Sequence, residues 1–203
     1  MELKTNLQSA SYSIGVNIGQ SLKAQGLEEI DAQALSKAIV DVLGKNDLAI
    51  SEKDAQKIVQ DFFEENNKKR KERNIAEGKS FMETNSKREG VTVLPSGLQY
   101  EIISNGNGNK PSASDKVKTH YHGTLINGSV FDSSVKRGEP ITFPVGGVIQ
   151  GWQEALKLMP VGSKWKLYVP YNLAYGERGA GPAIPPCSTL IFEVELLEII
   201  EEN

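Results

Sequence analysis

The hydrophobic positions change their period once along the chain, near Gly90. Before it they recur at helical spacing. Leu35, Ala38, Ile39, Val42 and Leu43 follow i, i+3, i+4, i+7, i+8, with Asp31 placed to cap the start and Gly44 the end. Upstream, Ile14, Ile18 and Leu22 recur every fourth residue, and Gly15 and Gly19 form an adjacent stripe open to a second backbone. Tyr12, Ile14, Val16 and Ile18 also alternate, but no turn signals flank them, so helix is favoured over strand. Ser51-Glu52-Lys53-Asp54 resembles a capping box and opens a third helix, expected to run to about Glu89. Such a helix is roughly 55 Å long at ~1.5 Å per residue. Its start is apolar (Ala55, Ile58, Val59, Phe62, Phe63). Its middle, Glu64 to Asn74, is polar on every face, as in a solvated helix bridging two bodies. Gly78 is the expected place for it to bend or fray.

After Gly90, Pro, Gly and β-branched residues take over. Residues 98–103 and 116–126 read as strands, with Asn127-Gly128 as a hairpin turn. Trp152, Ala155, Leu156 and Met159 mark one short helix stopped by Pro160. Residues 164–169 and 190–199 are further strands, although Ile191 and Val194 mixed with Glu193 and Glu195 leave the facing of the last one open. Residues 170–188 show no regular pattern, and an ordered loop of that length is often functional. The expected class is α+β. An all-helical dimerisation module (residues 1–50) and a long connecting helix (51–89) precede an antiparallel sheet with a short helix against it (90–203). The helices before Phe63 are too few to enclose a core alone. A second copy is the economical cover for their apolar faces, predicting a homodimer through residues 1–63; folding back on the C-terminal half is the alternative.

Composition narrows the classes. Of 203 residues, 38% are hydrophobic and 24% charged, which marks a globular chain. A net charge of −3 argues against a general nucleic-acid partner, and the charge run from Lys68 to Arg73 reads as a solvated face. The single cysteine, Cys187, forms no internal disulfide and, beside Pro186, reads as a small buried residue rather than a nucleophile. No apolar run approaches the ~20 residues that span a bilayer, so no membrane partner is expected. Residues 1–5 lack the basic-then-apolar layout of a signal peptide. The expected location is cytoplasmic, and periplasmic only if a signal peptide has been removed.

The chemistry sits in spaced aromatic motifs: Tyr121-His122-Gly123, Phe131-Asp132-Ser133-Ser134, Val148-Ile149-Gln150-Gly151-Trp152, Ala174-Tyr175-Gly176, Ile184-Pro185-Pro186, and the run from Leu190 through Phe192 to Leu197. They supply apolar walls and a few polar groups for a pocket of small-molecule size. No acid/base pair, metal cluster or nucleophile accompanies them, so the pocket suits desolvating something neutral. His120 and His122 share one side of a strand, but two His are too few for a metal site, and no metal or cofactor is expected. Gly106-Asn107-Gly108 is a turn rather than a phosphate loop, since no Lys-Ser/Thr follows in the required spacing.

Over residues 94–200 these motifs closely resemble the FKBP family of peptidyl-prolyl isomerases. The first ninety residues resemble, on helix layout, the dimerisation module of its bacterial macrophage-infectivity-potentiator and twenty-two-kilodalton branch. The resemblance implies a twisted antiparallel sheet wrapped on a short helix. It also implies rotamase activity toward X–Pro bonds of unfolded or partly folded proteins, and a site for macrolide inhibitors. By the same resemblance, Trp152 is the pocket floor, and Tyr121, Phe131, Phe143 and Phe192 are its walls, with Val148 and Ile149 at the rim. The Ile149 backbone N–H and the Tyr175 hydroxyl hold the ligand's carbonyls, and Ile184 lies over the bound proline. Asp132 is the pocket carboxylate held by Tyr121 and Arg137, either catalytic with Tyr175 and Trp152 or structural. Two departures touch the outer wall: Ile141 stands where many members place an aromatic residue, and Ala180 where well-known single-domain members carry a His. A non-catalytic proline-binding chaperone or scaffold is the alternative function.

Overall fold

The computed structural model describes residues 2–27 and 29–200. Met1, Glu28 and residues 201–203, which include both ends of the expected modules, lie outside them. Helix α1 (Asn6–Ala24) is opened by Thr5 and Gln8 in a reciprocal capping box. Helix α2 (Ala32–Gly44) is capped by Asp31, whose carboxylate accepts from the Gln33 and Ala34 amides, and Lys45 closes it in the left-handed conformation. In α3 (Glu52–Asn85), the Ser51 hydroxyl accepts from the Asp54 amide at 3.1 Å. It runs 34 residues and stops four short of the expected Glu89.

By internal contacts the chain divides within α3, one unit ending at Lys69 and the other beginning at Arg70. In the first unit, α1 buries none of its residues. Leu7 is 77% exposed and Leu43 80% exposed, and Ile14, Ile39, Val42 and Phe62 are exposed too. The apolar stripes read from the sequence are therefore present, and among the described residues of the first unit most of their side chains stand exposed.

In the second unit, β1 (Val91–Val93), β2 (Gln99–Ser104), β3 (Lys116–Leu125), β4 (Val130–Ser133), β5 (Ile141–Pro144), β6 (Lys164–Val169) and β7 (Leu190–Ile200) form one antiparallel sheet. The order is β1-β2-β6-β7-β3-β4. β5 also pairs with β3, so β4 and β5 divide one edge of β3 between its two halves. Between them lies the single turn of α4 (Ser134–Arg137). The sequence pattern missed β1, β4 and β5, each only three or four residues long, below the length at which alternation is legible. Helix α5 (Gln150–Leu156) lays Trp152, Ala155 and Leu156 on a core of Val117, Tyr121, Leu167, Val169, Leu190, Phe192, Val194 and Leu196. The facing of β7 is resolved cleanly: Leu190, Phe192, Val194 and Leu196 point inward, and Ile191, Glu193 and Glu195 alternate with them.

The end of α3 packs on the opposite face of the sheet. Phe81 meets the Tyr168 ring at 5.9 Å between centroids, and Asn85 donates to Gln99 at 2.8 Å. Arg88, just past the helix, donates to Tyr168 at 2.9 Å and pairs with Glu101. Gly78 is thus no bend. It is buried mid-helix, and a Cβ placed there lies 2.4 Å from the Thr189 hydroxyl oxygen. The glycine is set by close approach of β7's lead-in, which a single-helix reading has no means to show.

This contact has a measurable consequence. Gly78→Ala gains about 1 kcal/mol of helix propensity, while overpacking costs about 1–3 kcal/mol. Urea unfolding is expected to show net destabilisation in the wild-type background. In a Thr189→Ala background, where the clashing oxygen is absent, the same substitution is expected to stabilise.

Candidate functional site

The face of the sheet that carries α5 opens into a cleft of about 460 Å³, walled by Tyr121, Phe131, Asp132, Phe143, Gly147, Val148, Ile149, Trp152, Tyr175, Ala180, Ala183, Ile184 and Phe192. The floor, wall, rim and hydrogen-bonding residues expected from the sequence are among them, and Arg137 is not. Gly147 and Ala183 were missed, because a side chain of one carbon or none carries no pattern signal. Ile141 packs against the core beside the cleft and is not part of its lining, whereas Ala180 is.

Trp152 is 4% exposed at the base. Tyr121, Phe143 and Phe192 stand edge-on to the indole at centroid distances of 5.4, 5.9 and 5.2 Å, and Phe131 is edge-on to Phe192 at 5.4 Å. Edge-to-face pairs match the positive ring rim to the negative face. Gly123 makes the arrangement possible: a Cβ there lies 2.6 Å from the Phe131 ring and 3.1 Å from that of Phe192. The indole N–H has no acceptor among the described residues.

At one wall the Tyr121 hydroxyl donates to Asp132, and the Arg137 guanidinium donates to the same carboxylate. The Ser133 amide adds a third bond at 2.8 Å. Arg137 also donates to the Tyr121 oxygen at 3.2 Å and lies over its ring. This grouping is built locally. Ser133 caps α4 by accepting from the Lys136 amide, Gly138 closes the turn at φ 77°, and the single turn swings Arg137 back onto Asp132. Burial pushes the Asp132 carboxyl up, but the bonds from Tyr121, Arg137 and Ser133 outweigh it, and the group is held below the ordinary carboxylate range. Burial, then the bond to Asp132, pushes the Tyr121 phenol up.

Two donors remain open to the cleft. Tyr175 is 42% exposed, and among the described residues its hydroxyl has no hydrogen-bond partner. Burial raises its pKa, with the Asp132 charge adding to it, so it stays a neutral donor. The Ile149 carbonyl accepts from the Trp152 and Gln153 amides at 2.9 and 3.1 Å, while its own N–H meets no acceptor among the described residues.

Groups elsewhere are occupied otherwise. His120 and His122 bond the Ser134 and Ser133 hydroxyls through Nδ1. Among the described residues no cluster of three or more His, Cys, Asp or Glu has metal-holding geometry. Cys187 is fully buried and burial pushes its thiol up, as suits a packing residue rather than a nucleophile. Within the charge run, Lys69 pairs with Glu65 and Lys71 with Glu177. A larger, shallower hollow runs along α1, lined by Leu7, Gln8, Ser11, Tyr12, Gly15 and Val16.

An aromatic-floored cleft on an antiparallel sheet, with two open hydrogen-bond donors, is a site suited to a small apolar group flanked by carbonyls. Comparison with known proteins agrees: FKBP-type peptidyl-prolyl cis-trans isomerase matches residues 107–197, and the domain amino terminal to FKBP-type peptidyl-prolyl isomerase matches residues 7–102. The chain belongs to the FKBP-type peptidyl-prolyl cis-trans isomerases. It is 51% identical over 194 residues to the FKBP-type 22 kDa peptidyl-prolyl cis-trans isomerase of Escherichia coli, covering 94% of each chain. It is 44% identical to the outer membrane protein MIP of Legionella longbeachae, covering 97% of this chain and 87% of that one. The crystal structure of FkpA from Escherichia coli superposes with a TM-score of 0.73 at 37% identity, covering 98% of both chains. The expected cytoplasmic location finds no support in these relatives, one of which is named an outer-membrane protein. No helix among the described residues is long and apolar enough to cross a membrane.

The sign of the Asp132 shift gives a test. A carboxylate held low in the fold contributes stability that is present above its unfolded pKa and lost as pH falls through the folded one. Asp132→Asn is expected to lower the urea midpoint at neutral pH, with the gap to wild type closing as the medium passes below about pH 4. A gap constant down to about pH 2 contradicts the low carboxyl.

Proposed function

We propose that the cleft catalyses rotation about X–Pro bonds of unfolded or partly folded proteins, with Trp152 as the floor under the proline ring. The edge-on cage that leaves this indole at the base of an apolar cleft is the observation that carries the reading.

Rotation must break amide resonance, against a barrier of roughly 18–20 kcal/mol. In the twisted state the nitrogen turns pyramidal and the carbonyl loses its charge-separated character, so that state is less polar than the planar amide. A water-poor aromatic pocket therefore favours it over the ground state, and only such a difference accelerates the step. Tyr121, Phe131, Phe143, Val148 and Phe192 exclude water around the ring. The Ile149 N–H and the Tyr175 hydroxyl hold the flanking carbonyls, and Ile184 covers the proline. Asp132, bonded to Tyr121 and Arg137, shapes the wall and sets the field near the turning carbonyl. No proton changes hands in this scheme. Macrolide inhibitors are expected to occupy the same cleft.

The test is catalysed cis-to-trans isomerisation of a short X–Pro peptide by the full chain. Tyr175→Phe is expected to lower kcat/KM about five- to tenfold, as for one hydrogen bond lost in the transition state. Its unfolding midpoint should not move, since the hydroxyl bonds nothing in the fold. A wild-type chain that binds proline peptides without accelerating them is a proline-binding chaperone or scaffold instead.

The helical unit supports a homodimer through residues 1–63. Leu7, Ile14, Ile39, Val42, Leu43 and Phe62 are exposed on it, and no Cβ at Gly15 or Gly19 meets another atom within 4 Å. Two joined pockets gain effective concentration on one client. Sedimentation is expected to give twice the chain mass for wild type and the single-chain mass for the double variant Leu7→Glu, Ile14→Glu.

A further inference from the structure

Residues 175–186 bring Tyr175, Ala180, Ala183 and Ile184 to the cleft from outside the seven strands of the sheet. Some bonds tie this loop to itself. Ala180 and Ile184 exchange backbone hydrogen bonds at 2.9 and 3.2 Å, and the Cys187 N–H donates to the Gly176 carbonyl at 3.0 Å. Two others tie it to α3. The Asn74 side-chain amide donates to the Pro186 carbonyl at 2.7 Å, and the Lys71 ammonium pairs with Glu177 at 3.1 Å. Lys71 and Asn74 lie three apart on one helix face. Their partners flank the functional side chains: Glu177 lies two residues past Tyr175, and Pro186 two past Ile184. The helix therefore grips the loop at both shoulders.

We propose that Asn74, with Lys71 beside it, is a positioning residue for isomerisation, holding the loop so that Ile184 and Tyr175 stand over the cleft. This rests on the cleft being the isomerisation site argued above. The Asn74 bond is half-buried and bridges 112 residues of chain, and no other donor among the described residues reaches the Pro186 carbonyl. Without it the loop spends part of its time open. Substrate then binds only the closed fraction, and the apparent dissociation constant rises by the inverse of that fraction. Turnover inside the closed pocket is unchanged.

Asn74→Asp keeps the shape and removes the donor. In the full chain it is expected to raise KM for a short X–Pro peptide by up to about fivefold, the most that one lost hydrogen bond can lower the closed fraction, with kcat within about twofold of wild type. An unchanged KM overturns the proposal, whether or not the melting temperature falls or kcat alone drops. If Asn74→Asp does not fold, Lys71→Met carries the test: the residue is partly exposed, and about a twofold rise in KM is expected, as for a surface pair. No rise then overturns it. If the wild-type chain does not accelerate the peptide, the isomerase reading fails separately. The same comparison then runs on the peptide's Kd by tryptophan fluorescence, where equal values for wild type and variant overturn the positioning role.

Discussion

Seating one indole edge-on to three other rings is the constraint around which the second unit is arranged. Trp152 reaches its place because Gly151 lets α5 approach β6: a Cβ there lies 2.6 Å from Val169. Tyr121 and Phe192 meet it from neighbouring strands β3 and β7, and Phe143 from β5 at the edge of β3. Buried aromatic rings contribute large apolar area as well as preferred pair geometry, so the same contacts that stabilise the fold shape the cleft. Core and site share side chains here, which ties pocket geometry to fold stability.

The polar groups follow a different logic. Asp132 is satisfied three times over from within the fold, by Tyr121, Arg137 and the Ser133 amide. Tyr175 and the Ile149 N–H, by contrast, are left with nothing among the described residues to bond. A group tied on every side acts through the shape and field it imposes. A half-exposed donor without a partner is free to take a ligand's carbonyl. The division suits a reaction in which charge separation falls and no proton moves.

Helix α3 is more than a spacer. Its stretch from Lys71 to Asn85 bonds the Glu177–Pro186 loop, abuts Thr189 and sets the Phe81 ring, tilted, against Tyr168. Its contacts are single hydrogen bonds, one glycine approach and one aromatic pair rather than an apolar stripe, and the part from Glu64 to Asn74 reads from the sequence as solvated. Gly78 shows the error most plainly, since a mid-helix glycine reads as a weak point until Thr189 is seen against it.

The sequence by itself determined what depends on near neighbours. That covers the change from helical to alternating period near Gly90, the caps at Asp31 and Ser51, the turn at Asn127-Gly128, and the spaced motifs that carry the family resemblance and with it the cleft residues. Capping, turn formation and amphipathicity act over a few residues, so they are written locally. Tertiary structure alone decided the short strands β1, β4 and β5, the inward face of β7, the need for Gly123 beneath Phe131, and the grip of α3 on the loop over the cleft. Each of those turns on which strands lie side by side and on contacts across long spans of chain, as between Asn74 and Pro186. Their energies arise from close packing and single long-range bonds, and these leave no period in the sequence.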